Sequence, residues 1–123
     1  MSGSGSPPVV LLVDDETRIL SALRRTLRRE GYEILTAESV AEALRILGSR
    51  PVNLVLTDQK MPGMSGLEFL EQVAARHPTV ARLLITGWPE EIPAAQIERL
   101  GIRALIPKPW DDDQLRSALR DHT

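Results

Sequence analysis

The sequence contains no cysteine, which excludes a disulfide scaffold, a thiol nucleophile and any thiolate-held zinc or iron–sulfur site. Its only histidines are His77 and His122, too few for an imidazole-rich metal centre. Aromatic residues make up 3% of the 123 residues, so the core must be built from aliphatic side chains. The longest apolar run is five residues, Val9 to Val13, so no segment can cross a bilayer as a helix. The net charge of −2 comes from interspersed charges of both signs and offers no basic surface for nucleic acid. Neither a membrane nor a directly bound nucleic acid is therefore expected as a partner.

What is present is ordinary for one globular domain: 42% hydrophobic and 26% charged residues. Residues 1–6, Met-Ser-Gly-Ser-Gly-Ser, have neither a basic n-region nor an apolar h-region. They read as a flexible expression scar and not as a signal peptide, which leaves residues 7–123 as the domain and a cytoplasmic location as the expectation.

Apolar runs of strand length alternate with segments of helical period. Val9-Val10-Leu11-Leu12-Val13 is apolar without alternation, the pattern of a strand buried on both faces. Ile19, Leu20, Leu23 and Leu27 then recur at helical spacing, and Gly31 is a natural stop. Glu33 to Ala37 reads as a second strand. Ser39-Val40-Ala41-Glu42 reads as a capping box opening a helix through Leu47, with Gly48 as its stop. Val52 to Thr57 reads as a third strand, and Ser65-Gly66-Leu67-Glu68 as a box opening a helix that ends before Pro78. Val80 to Thr86 is a fourth strand, followed by a helix from about Pro93 to Leu100 with Gly101 at its end. Arg103 to Ile106 is a fifth strand, and Asp111 is placed to cap a last helix running from about Asp112 to Arg120, with Gln114 positioned to complete a box. Strict alternation predicts right-handed crossovers and a doubly wound parallel α/β sheet.

Such a sheet binds its ligand outside the carboxyl ends of its strands. Those ends carry Asp14-Asp15-Glu16, Thr57-Asp58, Thr86-Gly87 and Pro107-Lys108-Pro109. Any one of them alone is most often a cap, a turn or a surface charge; their coincidence at one edge is what carries meaning. Two carboxylates roughly 5 Å apart repel by about 3 kcal/mol at an effective dielectric near 20, and a bound cation removes that penalty. Oxygen donors without His or Cys favour a hard ion, and few carboxylates with open water positions favour Mg²⁺ over Ca²⁺. Mg²⁺ recruits phosphoryl oxygens, Lys108 adds a second positive charge, and Asp58 could act as a nucleophile toward phosphorus, giving an acyl phosphate. The chain has thirteen Arg and two Lys, and both Lys, 60 and 108, fall in these loops, as if chosen for a compact ammonium.

With these residues in place, the sequence resembles the receiver domain of two-component response regulators. The matching stretches are Leu12 to Glu16, Thr57 to Gly66, Thr86-Gly87 and Lys108-Pro109. The resemblance implies a flavodoxin-like (βα)5 fold with strand order 2-1-3-4-5. It implies Asp58 as phospho-acceptor from a sensor histidine kinase or phosphotransfer protein. It implies Asp14, Asp15, Asp58 and the Lys60 backbone carbonyl as Mg²⁺ ligands, and Lys108, followed by a cis bond to Pro109, as the phosphoryl-contacting cation. Thr86 would be the switch hydroxyl, Gly87 the small residue beside the pocket, and Lys60 and Trp88 would tune phosphoryl lifetime. Such a domain is not an enzyme acting on an external substrate: it catalyses its own phosphotransfer and dephosphorylation. A C-terminal effector domain beyond Thr123 and a homodimer are the further partners it leaves open.

There are departures from the pattern. Leu105 stands where most receivers carry an aromatic residue coupled to the Thr, and Trp88 is the candidate to replace it on a remodelled output face. Pro89 and Pro93 predict an extended loop and a short or late fourth helix. Arg24, Arg25, Arg28 and Arg29 read as a solvated helix face or as part of a kinase-docking surface, Trp110 and Leu115 as packing or a dimer contact, and Asp111 to Asp113 as a helix-start charge run. A phosphorylation-independent receiver-like interaction module is the alternative. An aspartyl phosphatase of the haloacid-dehalogenase kind lacks its Asp-x-Asp spacing here, and the acidic turn after the first strand would repel a flavin phosphate.

Overall fold

The computed structural model describes residues 6–123; apart from Ser6, the segment read as a scar lies outside the described residues. Five strands, β1 (Val9–Val13), β2 (Glu33–Ala37), β3 (Leu54–Asp58), β4 (Ala81–Thr86) and β5 (Ile102–Pro107), alternate with five helices, α1 (Thr17–Leu27), α2 (Val40–Ser49), α3 (Gly66–Arg76), α4 (Ala94–Arg99) and α5 (Asp112–His122). The sheet is parallel in the order β2-β1-β3-β4-β5. This is the doubly wound arrangement that alternating elements and right-handed crossovers demand.

The apolar strands divide their side chains between two cores. Val10 and Leu12 of β1, with Leu54, Leu56, Leu83, Ile85 and Ile106, meet Leu20, Leu23 and Leu27 of α1 and Leu115 and Leu119 of α5. Leu11 and Val13, with Val55, Leu84 and Ile102, meet Ala43 and Leu47 of α2 and Phe69, Leu70 and Val73 of α3. Helices α1 and α5 therefore cover one face, and α2, α3 and α4 the other. Arg18, Arg24 and Arg25 of α1, and Arg28 and Arg29 just past its end, are all exposed.

Local chemistry departs from expectation in three places. Gly48 does not stop α2: the helix runs to Ser49, because Arg50, extended at φ −158°, still donates its N–H to Ile46 O. The α2 box is also displaced by one residue. Ser39 Oγ accepts from Glu42 N–H at 3.1 Å, but the Glu42 carboxylate reaches Glu38 N–H and not Ser39 N–H. At α3 the reciprocal Ser65–Glu68 box is complete. Pro93 is the N-cap of α4 and not its first helical residue, since ψ of 135° is extended. A 3₁₀ turn over Pro89–Glu91 precedes α4, which is six residues long, as the prolines predict. Asp111 caps α5 by accepting from Gln114 N–H at 2.9 Å. Gly31, at φ +86°, makes the left-handed turn between α1 and β2 that a side chain would strain.

Candidate functional site

Strand order brings β1 and β3 side by side at the centre of the sheet, with β4 and β5 next to them, so the four predicted strand ends share one edge. Asp14 follows β1 and is fully buried; its N–H donates to Ala37 O and its Oδ1 accepts from Glu16 N–H at 2.8 Å. Asp15 is exposed beside it. Asp58 ends β3 with 6% of its surface exposed. One carboxylate oxygen from each of Asp14, Asp15 and Asp58 lies within 4.8 Å of the others. Lys108, carried past β5, bridges the two buried acids, with Nζ 2.9 Å from Asp58 Oδ1 and 3.2 Å from Asp14 Oδ2. Its own N–H donates to Thr86 O, and the bond to Pro109 is cis.

Thr86 is buried at the end of β4, and its Oγ1 accepts from Trp88 N–H at 3.1 Å. Gly87 is exposed, and a Cβ there would meet nothing nearer than Lys108 O at 4.0 Å. Leu105 is half-buried against the α2–α3–α4 core, opposite Leu84 in the β4–β5 register. A cavity of about 640 Å³ opens above Asp58 and Lys108 between Ile19, Trp88 and Trp110.

Burial pushes the Asp14 carboxyl above its ordinary range; the Glu16 N–H and Lys108 pull it back, and Asp58 adds to the rise. Burial opposes the charged form of Lys108, but the bond to Asp58 and the charges of Asp14 and Asp58 outweigh it and hold the ammonium above its usual value. One ammonium thus faces three carboxylates, and the oxygen-only donor set fits a hard divalent cation such as Mg²⁺. The Asp14 shift has a sign in stability. A carboxyl whose folded pKa is raised is penalised, when ionised, above that folded value, and the penalty is relieved as pH falls through it toward the unfolded value of 3.8. Without divalent metal, Asp14→Asn is therefore expected to melt higher than the parent at pH 7, with the difference shrinking as pH is lowered, as read by thermal unfolding at several pH values.

Three features were not read from the sequence. Gln59 accepts Leu67 N–H at 2.9 Å on its side chain and Gly66 N–H at 2.9 Å on its carbonyl, tying the loop after Asp58 to the start of α3. Trp110 Nε1 donates to Thr26 Oγ1 and Asp112 Oδ1, anchoring the loop after Lys108 to α1. The Lys60 ammonium lies 3.8 Å from the centre of the Trp88 ring.

The family model "Response regulator receiver domain" matches residues 10–120. The chain belongs to that family. The hydrogenase transcriptional regulatory protein HoxA of Cupriavidus necator is 43% identical to this receiver over 118 residues, which is 95% of this chain and 24% of that protein. The receiver spans about a quarter of the length of this and the other transcriptional regulators it matches. The signal receiver domain of an HD domain-containing protein from Pseudomonas fluorescens Pf-5 superposes with a TM-score of 0.89 at 35% identity, covering 95% of this chain and 94% of that one. The response regulator protein TrrA from Thermotoga maritima, solved in complex with Mg²⁺–BeF, superposes with a TM-score of 0.86 at 30% identity, covering 94% and 99%. The flavodoxin-like receiver fold and a place in two-component phosphorelay signalling follow. Among the described residues, no helix is long and apolar enough to cross a membrane.

Proposed function

We propose that this receiver accepts a phosphoryl group on Asp58 from a phosphohistidine of a sensor kinase or phosphotransfer protein. An Asp58 carboxylate oxygen forms the new bond to phosphorus as the phosphorus–nitrogen bond breaks, and the imidazole nitrogen keeps that electron pair. The observation that carries this reading is the Lys108 ammonium 2.9 Å from Asp58 at the floor of an open cavity, with two further carboxylates grouped beside it. Lys108 is already in position for charge developing on a phosphoryl oxygen, so little reorganisation is needed when the group arrives. The Thr86 hydroxyl, at the wall of the same cavity, would turn to meet the same oxygens, and Gly87 leaves room beside them. Asp14, Asp15, Asp58 and the Lys60 carbonyl would hold Mg²⁺, which when bound supplies neutralising charge to carboxylate and phosphoryl oxygens. Water hydrolyses the acyl phosphate later, with no external substrate turned over. A cytoplasmic location and a larger effector domain belong to the same reading; the match covers only 24% of the HoxA transcriptional regulatory protein.

Acetyl phosphate with Mg²⁺ is expected to add one phosphoryl group, detected by intact mass, and Asp58→Asn to abolish the addition. Equal incorporation in Asp58→Asn would refute the assignment of the acceptor. No incorporation in the parent would leave the phosphorylation-independent interaction module standing. Mg²⁺ itself is expected to stabilise the fold. At a hundredfold excess over its Kd a ligand contributes about 2.7 kcal/mol, which in a domain of this size raises Tm by about 10 °C. Asp14→Asn should lose most of that rise.

A further inference from the structure

The exposed large hydrophobic side chain of the described residues is Trp88, at 48% exposure, and one side of its ring is covered by Lys60. Lys60 leaves the loop after Asp58, and Trp88 stands two residues beyond Thr86. Lys60, Thr86 and Trp88 line the cavity above Asp58 and Lys108, and also a second cavity of about 520 Å³ bounded by Met61, Leu67 and Ile92. The Lys60–Trp88 pair is thus the wall between the two. Among the described residues no carboxylate lies within ion-pair distance of Lys60, so the indole face is its partner. The Trp88 N–H donates to the Thr86 hydroxyl at 3.1 Å, and its carbonyl accepts from Glu91 N–H at 3.0 Å in the turn that follows.

We propose that the Lys60–Trp88 stack is a latch, fastened in the wall beside the acidic pocket in the unmodified chain and released when a dianionic group on Asp58 takes the Lys60 ammonium. An exposed cation–π contact favours the closed arrangement by only about two- to fivefold. A charge-assisted hydrogen bond to a phosphoryl oxygen favours the alternative by about tenfold or more. The balance therefore reverses on modification. Any inward movement of the Thr86 hydroxyl also draws on its bond to Trp88 N–H, so the ring contact and this tie weaken together while the Glu91 bond to the Trp88 carbonyl keeps the turn in place. Residue 105 cannot serve in this way, because Leu105 is half-buried and has no ring to turn. The latch rests on the reading of Asp58 as phospho-acceptor.

The test uses a Trp110→Phe background, so that emission reports Trp88 alone, with acetyl phosphate and Mg²⁺ as the probe and intact mass read in parallel. Modification is expected to change Trp88 emission intensity and to raise its acrylamide quenching constant at least twofold. Lys60→Met should show the raised quenching before any modification. If Trp110→Phe does not fold, the indole N–H resonance of Trp88 in the two-tryptophan chain gives the same readout. A mass gain with unchanged Trp88 signals overturns the latch alone, as does a Lys60→Met signal equal to that of the parent. Absence of any mass gain overturns the acceptor reading, and the latch with it.

Discussion

Gly66→Ala is expected to lower the melting temperature by about 10 °C or more, the largest loss of stability from a single added methyl in this chain. Gly66 opens α3 and is buried, with its N–H on Gln59 O at 2.9 Å. A Cβ at this position would overlap the carbonyl oxygen of Asp58 and sit 2.9 Å from Leu84 Cδ1. The leucine methyl can turn away. The Asp58 carbonyl cannot, because β3 is paired in register with β4 (Asp58 opposite Ile85) and the next amide, Gln59 N–H, is bonded to Ile85 O. Helix α3 must then retreat from the sheet and loosen Phe69 and Leu70, both fully buried. Overpacking that side chains can absorb costs about 1–3 kcal/mol, and a backbone collision belongs at or above the top of that range. About 3 kcal/mol is a large share of a stability of about 5–15 kcal/mol. Gly48→Ala is the control: a Cβ there meets nothing within 4 Å, and the residue lies inside α2. It should stabilise by about 0.5–1 kcal/mol. Urea or thermal unfolding of the two variants reads both signs.

Lys108→Met should separate stability from chemistry. The ammonium bridges Asp14 and Asp58, and its pKa is raised in the fold. A lysine raised above its unfolded value of 10.5 contributes fully at pH below that value and loses the contribution only as pH rises through the folded value. At pH 7 the whole contribution is therefore present to be lost. Removing one partner of a fully buried pair costs about 3–5 kcal/mol. Lys108 retains 20% exposure and lines an open cavity, so screening reduces the expected loss to about 2 kcal/mol. Methionine keeps the length of the side chain, so packing changes little. Adding Mg²⁺ should recover most of this stability, because a divalent cation neutralises the same carboxylates. Phosphoryl incorporation from acetyl phosphate should stay about 10²–10³-fold slow, since the preorganised donor to the phosphoryl oxygen is gone. Restoration of both properties by Mg²⁺ would refute a phosphoryl-contacting role for Lys108.

The architecture was legible because strands buried on both faces must be continuous apolar runs, and Val9 to Val13 is one. Once the runs were placed, alternation gave the topology, and the topology gathered Asp14, Asp58, Thr86 and Lys108 from distant positions to one edge. Residues that act by side-chain direction were not legible. Nothing in the order of residues tells that Lys60 lies on Trp88, that Gln59 caps the start of α3, or that Trp110 reaches back to Thr26 on α1. Each depends on where two loops sit relative to one another, and loops carry no periodicity to read. Gly48 was misread for a related reason. Glycine marks a helix end only when the backbone turns left-handed beside it, and here the helix hydrogen bonds carry on to Arg50.

Helix α4 has a consequence for how the molecule opens locally. It spans six residues, has no side-chain cap and buries none of its own residues. Its ties to the rest of the molecule are the Arg99–Glu71 ion pair, the bond from Arg82 Nε to Leu100 O just past its end, and Ile97 packed half-buried against the core. Amides whose hydrogen bonds lie in so shallow an element exchange through local opening at a small fraction of the global free energy. Deuterium should therefore enter Gln96, Ile97 and Leu100 long before it enters β3, whose five residues are all buried. Helix α4 is thus expected to open and re-form between Ile92 and Leu100, which are seated in the core, while the sheet and the other helices stay protected. That gives the molecule a weak region at one edge, beside the β4–β5 side of the sheet, that can change shape at little cost to the fold.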